Sequence, residues 1–588
     1  MRSRLVKRLC EKGVLIEPSA LRLLLAEREP EAALDRLLAS SPQKPLLITA
    51  DEVRRMLGND GALAEAKPDA PAPPPASPDE EEPDVGATRV PKSCETAIYT
   101  TDLECVSTDQ ATVHSESPAP PSDVDALDTG APLVQAKVAE NGEGETDVVE
   151  NPAAKPDAPP PPRRTGMGDR PIAKGYDADV AVIQEVTDES RCTGQASDFI
   201  AYFDDRLKSI ARILRQRPEM GGAVKVHDVL SFDAREARVI CMVSEVARPQ
   251  DKRVRGAWLT VEDDTGSMRV WLPDDGGFAD QHVLRDEVVG IVGKVQRPKG
   301  ERAGRDRSNY IVAQRVVRPE LAGPRTQRRS ENPLTMACAG DLHVGSSHFL
   351  PKPWERAVAW LKSGDADAGR VKYLLMPGDL VDGIGIYPDQ IDELEIDDVY
   401  LQYERLARML EEIPDHISLI ILPGNHDAQR LSEPQPAFPE KVRKIVGSRP
   451  VYVGNPSYLM VDGVRVLAYH GRGFDDLAGN LGSIGYQQPM LLMQEMLKRR
   501  HMSPIYGGKN QLAPERRDYM VINPIPDIFV TGHVHGAGIQ DYKGVVIANS
   551  STYQAQTPFQ ASHNFNPEPG KVPWVRLDTF EFGMKDFA

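Results

Sequence analysis

Five short stretches in the C-terminal half of this 588-residue chain set metal-ligand side chains beside a glycine, each just after an apolar run of strand length. They are Gly340-Asp341-Leu342-His343, Gly378-Asp379, Gly424-Asn425-His426-Asp427, His470-Gly471 and Gly532-His533-Val534-His535. The preceding runs, Leu334 to Cys338, Val371 to Met376, Ile417 to Leu422, Val464 to Tyr469 and Ile528 to Thr531, read as buried strands. Buried strands that end where ligands begin predict an α/β fold with its site at the carboxyl ends of the strands. The glycines let the backbone turn or approach an ion closely. The two-residue spacing of Asp341 with His343, and of His533 with His535, predicts extended chain that points both side chains to one side. A dinuclear site for a phosphodiester needs about four N/O ligands per ion, one shared carboxylate and open positions for water and phosphate. These stretches contain that set. Five of the twelve histidines occupy them, whereas His348, His416, His501 and His563 fall outside and are expected to be ordinary residues.

The five stretches resemble the motifs of the calcineurin-like metallophosphoesterase superfamily, D-x-H, G-D, G-N-H-D/E, H and G-H-x-H. The resemblance implies that Asp341, His343, Asp379 and His535 hold one ion and Asp379, Asn425, His470 and His533 the other, with Asp379 as the bridge. It also implies that His426 faces the substrate phosphate, where it stabilises the transition state or protonates the leaving oxygen while activated water attacks in line. Asp427 is expected to order its loop by hydrogen bonding. Arg472 and Asp475 are candidates for phosphate contact or for bracing. The resemblance points to two manganese or magnesium ions; a thiolate-free ligand set also tolerates iron, zinc or nickel.

Charge distribution decides whether nucleic acid is a plausible partner. Residues 58–170 carry 23 acidic against 8 basic residues, a balance of −15 within the −18 of the whole chain. The rest is therefore close to neutral. That acidic segment holds 18 prolines and little apolar periodicity, as a disordered tether does. Before it, leucines at helical spacing and the capping box Thr49-Ala50-Asp51-Glu52 predict a small helical unit that docks on a partner. After it, 198–217 reads as an amphipathic helix carrying Phe199, Tyr202, Phe203, Leu207, Ile210 and Ile213 on one side.

From Val224 to Leu321 the period changes to two, with strands expected at 237–246, 256–261, 268–272 and 288–296 and a turn at Asp263-Asp264-Thr265-Gly266. About five short strands with a sharp middle hairpin fit an OB-fold barrel. Arg248, Lys252, Arg253 and Arg255 lie on one loop and further basic residues on 297–307, as in barrels that grip single strands. Trp258 and Trp271 are expected in the strand core, with base stacking as the alternative. The fold class is thus α/β: a calcineurin-like metallophosphoesterase β-sandwich flanked by helices, preceded by an OB-fold β-barrel, a disordered acidic Pro-rich linker and a small N-terminal helical domain. The expected boundaries are 1–57 for the helical domain, 58–190 for the linker, 191–222 for the amphipathic helix, 223–325 for the barrel and 326–588 for the phosphoesterase.

An OB barrel directly ahead of such a domain resembles the small subunits (B-subunits) of replicative DNA polymerases. Complete metal motifs narrow the likeness to the archaeal family D. Tyr387-Pro388-Asp389-Gln390, Leu497-Lys498-Arg499-Arg500-His501 and Asn549-Ser550-Ser551-Thr552-Tyr553-Gln554 extend it. This implies a 3′→5′ proofreading exonuclease acting on a single-stranded or mispaired primer 3′ end and a large catalytic subunit as partner. A sliding clamp is a further candidate partner, without a recognisable docking motif. The alternatives are a catalytically silent structural B-subunit and a stand-alone metallophosphoesterase or nuclease. Six cysteines without C-x-x-C spacing suggest neither a zinc knuckle nor a disulfide scaffold. No signal peptide or bilayer-spanning run is recognisable, so a reducing cytoplasm is the expected compartment.

Overall fold

The structure is a computed structural model that describes Leu15–Ile16, Leu47–Ile48 and 171–588, apart from 232–234, 250–254, 275–281, 298–308 and 563–564. The expected N-terminal helices and most of the linker lie outside the described residues. Only β1 (Leu15–Ile16) and β2 (Leu47–Ile48), a short parallel pair, are described there. The stretch 171–190, counted above with the linker, is folded. Its β3 (Val180–Gln184) pairs with a strand nearly three hundred residues away, because alternation over so few residues gives little local signal.

Five strands close into a barrel in the order β4-β5-β6-β8-β7: β4 (Glu236–Ala247), β5 (Gly256–Asp263), β6 (Gly266–Pro273), β7 (Val288–Gln296) and β8 (Tyr310–Val317). Inward residues such as Val239, Leu259, Val261, Val270, Ile291 and Ile311 fill it. Trp258 and Trp271 do not join that core, contrary to expectation. Alternation along β5 and β6 puts Leu259, Val261, Val270 and Leu272 inside, so the two indoles face outward as a cross-strand pair 5.1 Å apart. Tyr310 packs on Trp258 at 5.4 Å, and the Arg269 guanidinium covers it at 4.1 Å.

The rest of the chain forms two six-stranded sheets. One has the order β12-β11-β10-β9-β18-β19, built from β9 (Thr335–Cys338), β10 (Val371–Met376), β11 (Ser418–Ile421), β12 (Val451–Tyr452), β18 (Lys571–Arg576) and β19 (Phe582–Asp586). The other has the order β16-β17-β15-β14-β13-β3, adding β13 (Ser457–Val461), β14 (Val464–Ala468), β15 (Ile528–Thr531), β16 (Ala537–Tyr542) and β17 (Val545–Ser550). Their inner faces share one core that includes Met336, Tyr373, Leu375 and Ile420 from the first sheet and Leu459, Val466, Ile528 and Val530 from the second. Helices Pro351–Ser363 and Val399–Glu411 cover the outer face of the first sheet, and Gly473–Leu481 and Pro489–Arg499 that of the second. The result is a β-sandwich with helices on both sides.

The helix Ala196–Leu214 joins barrel to sandwich. It starts on a capping box between Gln195 and Asp198 and lays Ile210, Ala211 and Leu214 against Ile240, Met242 and Val288 of the barrel. Its apolar face also carries Arg206, fully buried. The barrel therefore shares a core with the helix and Val521 of the sandwich rather than standing apart.

Candidate metal centre

All five ligand stretches emerge from carboxyl ends of parallel strands: β9, β10 and β11 in one sheet, β14 and β15 in the other. Asp341, His343, Asp379, His470 and His535 are buried there, while Asn425, His426 and His533 are half-buried. The backbone is not the extended chain expected from the two-residue spacing. Asp341, His343, Asp379, His533 and His535 have φ of 49°, 52°, 49°, 70° and 52°. Side chains meet because left-handed residues curl each loop inward, a cost that clusters at functional sites. The glycines divide their work. Gly378, at φ 102°, turns the chain, whereas a Cβ on Gly424 would collide with the Asp379 carboxylate and one on Gly532 with that of Asp341.

Among the described residues three groups of possible ligands occur, two of them made wholly of the expected ligands: Asp341, His343 and His535 in one, Asp379, His470 and His533 in the other. His343 Nε2 lies 3.0 Å from His535 Nε2 and 3.9 Å from Asp379 Oδ2, and His535 Nε2 lies 3.7 Å from Asp341 Oδ1. On the other side His470 Nε2 lies 3.0 Å from Asn425 Oδ1 and 3.3 Å from Asp379 Oδ2. Neighbouring ligands on an ion with bonds of ~2.1 Å stand about 3 Å apart, so these spacings suit shared coordination.

Hydrogen bonds around the site orient its histidines. His343 Nδ1 meets Asp382 Oδ1 at 2.9 Å, and His470 Nδ1 meets the Pro377 carbonyl at 2.9 Å. With Nδ1–H so occupied, Nε2 is the atom each ring would turn to an ion once that ring is neutral. His426 Nδ1 likewise donates to the Asp382 carbonyl at 2.8 Å. For His533 the roles reverse, since Nε2 meets Asp475 Oδ1 at 3.2 Å and leaves Nδ1 for the site. Amides brace the carboxylates across loops: His426 N donates to Asp379 Oδ1 at 2.8 Å, and His533 N to Asp341 Oδ1 at 2.9 Å.

Electrostatics favour a cation in both halves. Burial pushes the Asp341 carboxyl well up, with the Asp379 charge adding to the effect. Burial opposes ionisation of Asp379 too, but the His470 and His426 rings outweigh it and hold that carboxyl well below its usual range. Burial works against charge on His470, yet Asp379 raises it to about 10. Burial lowers His343 and His535, which keeps those rings neutral, the form that binds a metal. The donor set could therefore hold metal ions.

Other sequence candidates sort cleanly. Asp427 accepts from Gly424 N, Leu380 N and Tyr403 OH, so it orders the loop, and burial raises it to about 6. Arg472 donates to the Leu431 carbonyl as a brace, and Asp475 orients His533. His348 stands 3.8 Å from Glu393, outside both clusters. Arg248 and Arg255 are exposed at the ends of the loop between β4 and β5, while Lys252 and Arg253 lie outside the described residues. The residue missed in the sequence is Asp382. Gln390 and Gln554 both donate to its carboxylate, at 2.9 and 3.0 Å. A carboxylate three residues beyond Asp379 was the available signal.

The sandwich with these loops at one edge has the layered arrangement expected from the metallophosphoesterase-like motifs. The family of DNA polymerase alpha/epsilon B-subunits matches residues 336–537. The DNA polymerase II small subunit of Archaeoglobus fulgidus is 41% identical over 406 residues, covering 67% of this chain and 78% of that relative. The namesake from Halobacterium salinarum is 30% identical over 591 residues, covering 100% of this chain and 99% of its own. The chain belongs to the family of archaeal DNA polymerase II small subunits, the family D group.

Proposed function

We propose that this protein carries a two-metal phosphodiesterase that removes nucleotides 3′→5′ from unpaired DNA ends and braces a large catalytic subunit. The observation that supports the reading is the place of the Asp379 carboxylate, 3.3 Å from His470 Nε2 and 3.9 Å from His343 Nε2, with His426 beside it. Asp341, His343, Asp379 and His535 would hold one ion, and Asp379, Asn425, His470 and His533 the other. When bound, two divalent cations supply Lewis acidity toward phosphoryl oxygens and acidify water. Manganese or magnesium suits the imidazole and carboxylate donors.

The chain's own groups do the rest. His426 Nε2 lies 4.0 Å from Asp379 Oδ2, and Nδ1–H is anchored on a carbonyl, so Nε2 is directed at the leaving oxygen. The half-buried Asn425 and His426 mark the open side where a phosphate enters. A mispaired end frays more readily than a paired one, so a site limited to single strands gains selectivity from the cost of melting.

The barrel, closed in the order first-second-third-fifth-fourth, is read as an OB fold. Arg248, Lys252, Arg253 and Arg255 would hold the DNA backbone there, and the outward Trp258 supports that use. The N-terminal unit and the acidic tether would give the complex reach.

The experiment is a nuclease assay on labelled primer ends with Mn²⁺, with and without the large subunit. Release from single-stranded 3′ ends that disappears in Asp379→Ala and His426→Ala, with the complex still assembled, supports the reading. Hydrolysis undiminished by those substitutions refutes it, and wild-type protein that neither binds metal nor hydrolyses DNA leaves a structural role.

A further inference from the structure

The strand β3 is the last of its sheet and pairs with β13 on one side, so among the described residues no strand covers its other edge. The register steps over Ile183, a bulge of the kind that re-aims a side chain. Val182 keeps 44% of its surface exposed and Ile183 47%, although neither serves the metal centre. Together with Tyr519, Arg191, Arg516 and Arg517 they line a groove of about 490 Å³.

Bonds between its walls fix the groove in shape. The buried Glu515 carboxylate accepts from Ser190 Oγ at 2.6 Å and from Arg191 N and Cys192 N at 2.7 and 3.0 Å. Arg517 Nη2 donates to Gln184 Oε1 at 2.6 Å, and its guanidinium covers the Tyr519 ring at 5.7 Å. A surface ordered beforehand loses little freedom on binding. Its charge is one-sided. Glu185 turns its carboxylate inward, to Gly454 N and to Ser457 Oγ at 3.3 Å, which leaves Glu189 against three arginines. Arg191 reaches the Asp188 carbonyl at 3.4 Å, and the exposed Arg516 has no hydrogen bond or ion pair with the described residues.

Aliphatic side chains beneath a basic rim match an extended segment that mixes aliphatic residues with carboxylates, and arginine and tyrosine are favoured in such contacts. A nucleic-acid strand would match the rim but not the floor, since branched aliphatic groups offer no flat face to a base. A bulged edge also resists extension of the ladder, so side chains rather than backbone make the contact. We infer that this groove receives an acidic, extended segment of the large catalytic subunit. The inference rests on the proposed bracing role and deepens it by naming the surface and the chemistry of what it holds. Ile183 supplies the apolar anchor and Arg516 the free charge.

The test measures Kd for assembly of the full-length chain with the large subunit, in wild type, Ile183→Asp and Arg516→Glu. Each substitution should raise Kd about 5- to 30-fold, the range of an interface anchor, and high salt should narrow the gap between wild type and Arg516→Glu. Both side chains stand partly in water, so the thermal midpoint of the free chain should hold; should Ile183→Asp lower it, Arg516→Glu decides. An unchanged Kd in a folded variant overturns the groove and leaves the bracing role standing. Failure of wild type to bind the large subunit sinks both. If assembly is unchanged while Ile183→Asp abolishes self-association, or while Arg516→Glu weakens binding of a single-stranded oligonucleotide, the occupant is a second copy or nucleic acid and the proposal falls.

Discussion

The metal centre and the joint between the helix Ala196–Leu214 and the sandwich both bury charge, and they bury it in opposite ways. At the joint every group has its complement. Arg206 Nε meets Asp518 Oδ2 at 2.6 Å, Nη2 donates to Tyr202 OH at 2.7 Å, and Nη1 donates to the Asp286 carbonyl of the barrel at 3.1 Å. His501 Nε2–H donates to Asp518 at 2.8 Å while its Nδ1 accepts from Ser503 N, so a neutral ring completes the set. At the metal centre the pairing is partial: Asp379 meets His470 at 3.3 Å, but other groups face their like. Two imidazole Nε2 atoms oppose each other at 3.0 Å, and Asp341 and Asp379 are pushed in opposite directions. A buried cluster in which every charge meets a fixed opposite is a fastener, whereas donors that converge on one another from separate loops could hold cations.

That contrast can be broken by substitution. The largest expected effect is on chemistry: Asp379→Asn should lower Mn²⁺-dependent hydrolysis of single-stranded DNA about 10³-fold or more, as removal of a central transition-state contact does. Its thermal midpoint without metal should fall less than that of a variant at the joint. A variant that loses stability in proportion to activity would erase the distinction.

Next comes the joint. Asp518→Ala leaves Arg206 buried without its carboxylate and should cost about 3–5 kcal/mol in urea unfolding. The same network sets an acid limit. Burial opposes ionisation of Asp518, but His501 and Arg206 outweigh it and hold its folded carboxyl far below the ordinary value. Its stabilisation is therefore complete above an unfolded pKa of about 3.9 and drains away as pH falls below it. Urea titrations at pH 6 and pH 3 should show an acid loss that shrinks in Asp518→Asn.

Metal saturation should add about 2.7 kcal/mol to wild-type stability at a hundredfold excess over Kd, and little to Asp379→Asn. Asp382→Asn, which removes the acceptor that orients His343, should weaken Mn²⁺ binding about 10- to 100-fold by calorimetry while the fold persists. Unchanged affinity would reduce Asp382 to a packing residue.

Legibility follows the same division. Val371–Met376 and Ile528–Thr531 fall where their apolar runs predict, and the other three ligand strands begin and end within a residue or two of expectation. Strand hydrophobicity and ligand identity are local properties, readable wherever they occur. The outward turn of Trp258 was not, because a strand pattern shows two faces without saying which one a closing barrel encloses. Nor was β3, whose partner is decided by a sheet edge that exists only after the sandwich forms.

The amino-acid order alone determined that five loops would carry metal-ligand residue types at strand ends, since each group of Asp, Asn and His follows an apolar run directly. The tertiary structure alone decided how they converge. Left-handed backbone curls the loops inward, amides brace carboxylates across the site, Gln390 and Gln554 clamp Asp382, and Arg206 finds Asp518 across 312 residues. Such contacts depend on the meeting of distant segments, and sequence spacing does not encode distance in space.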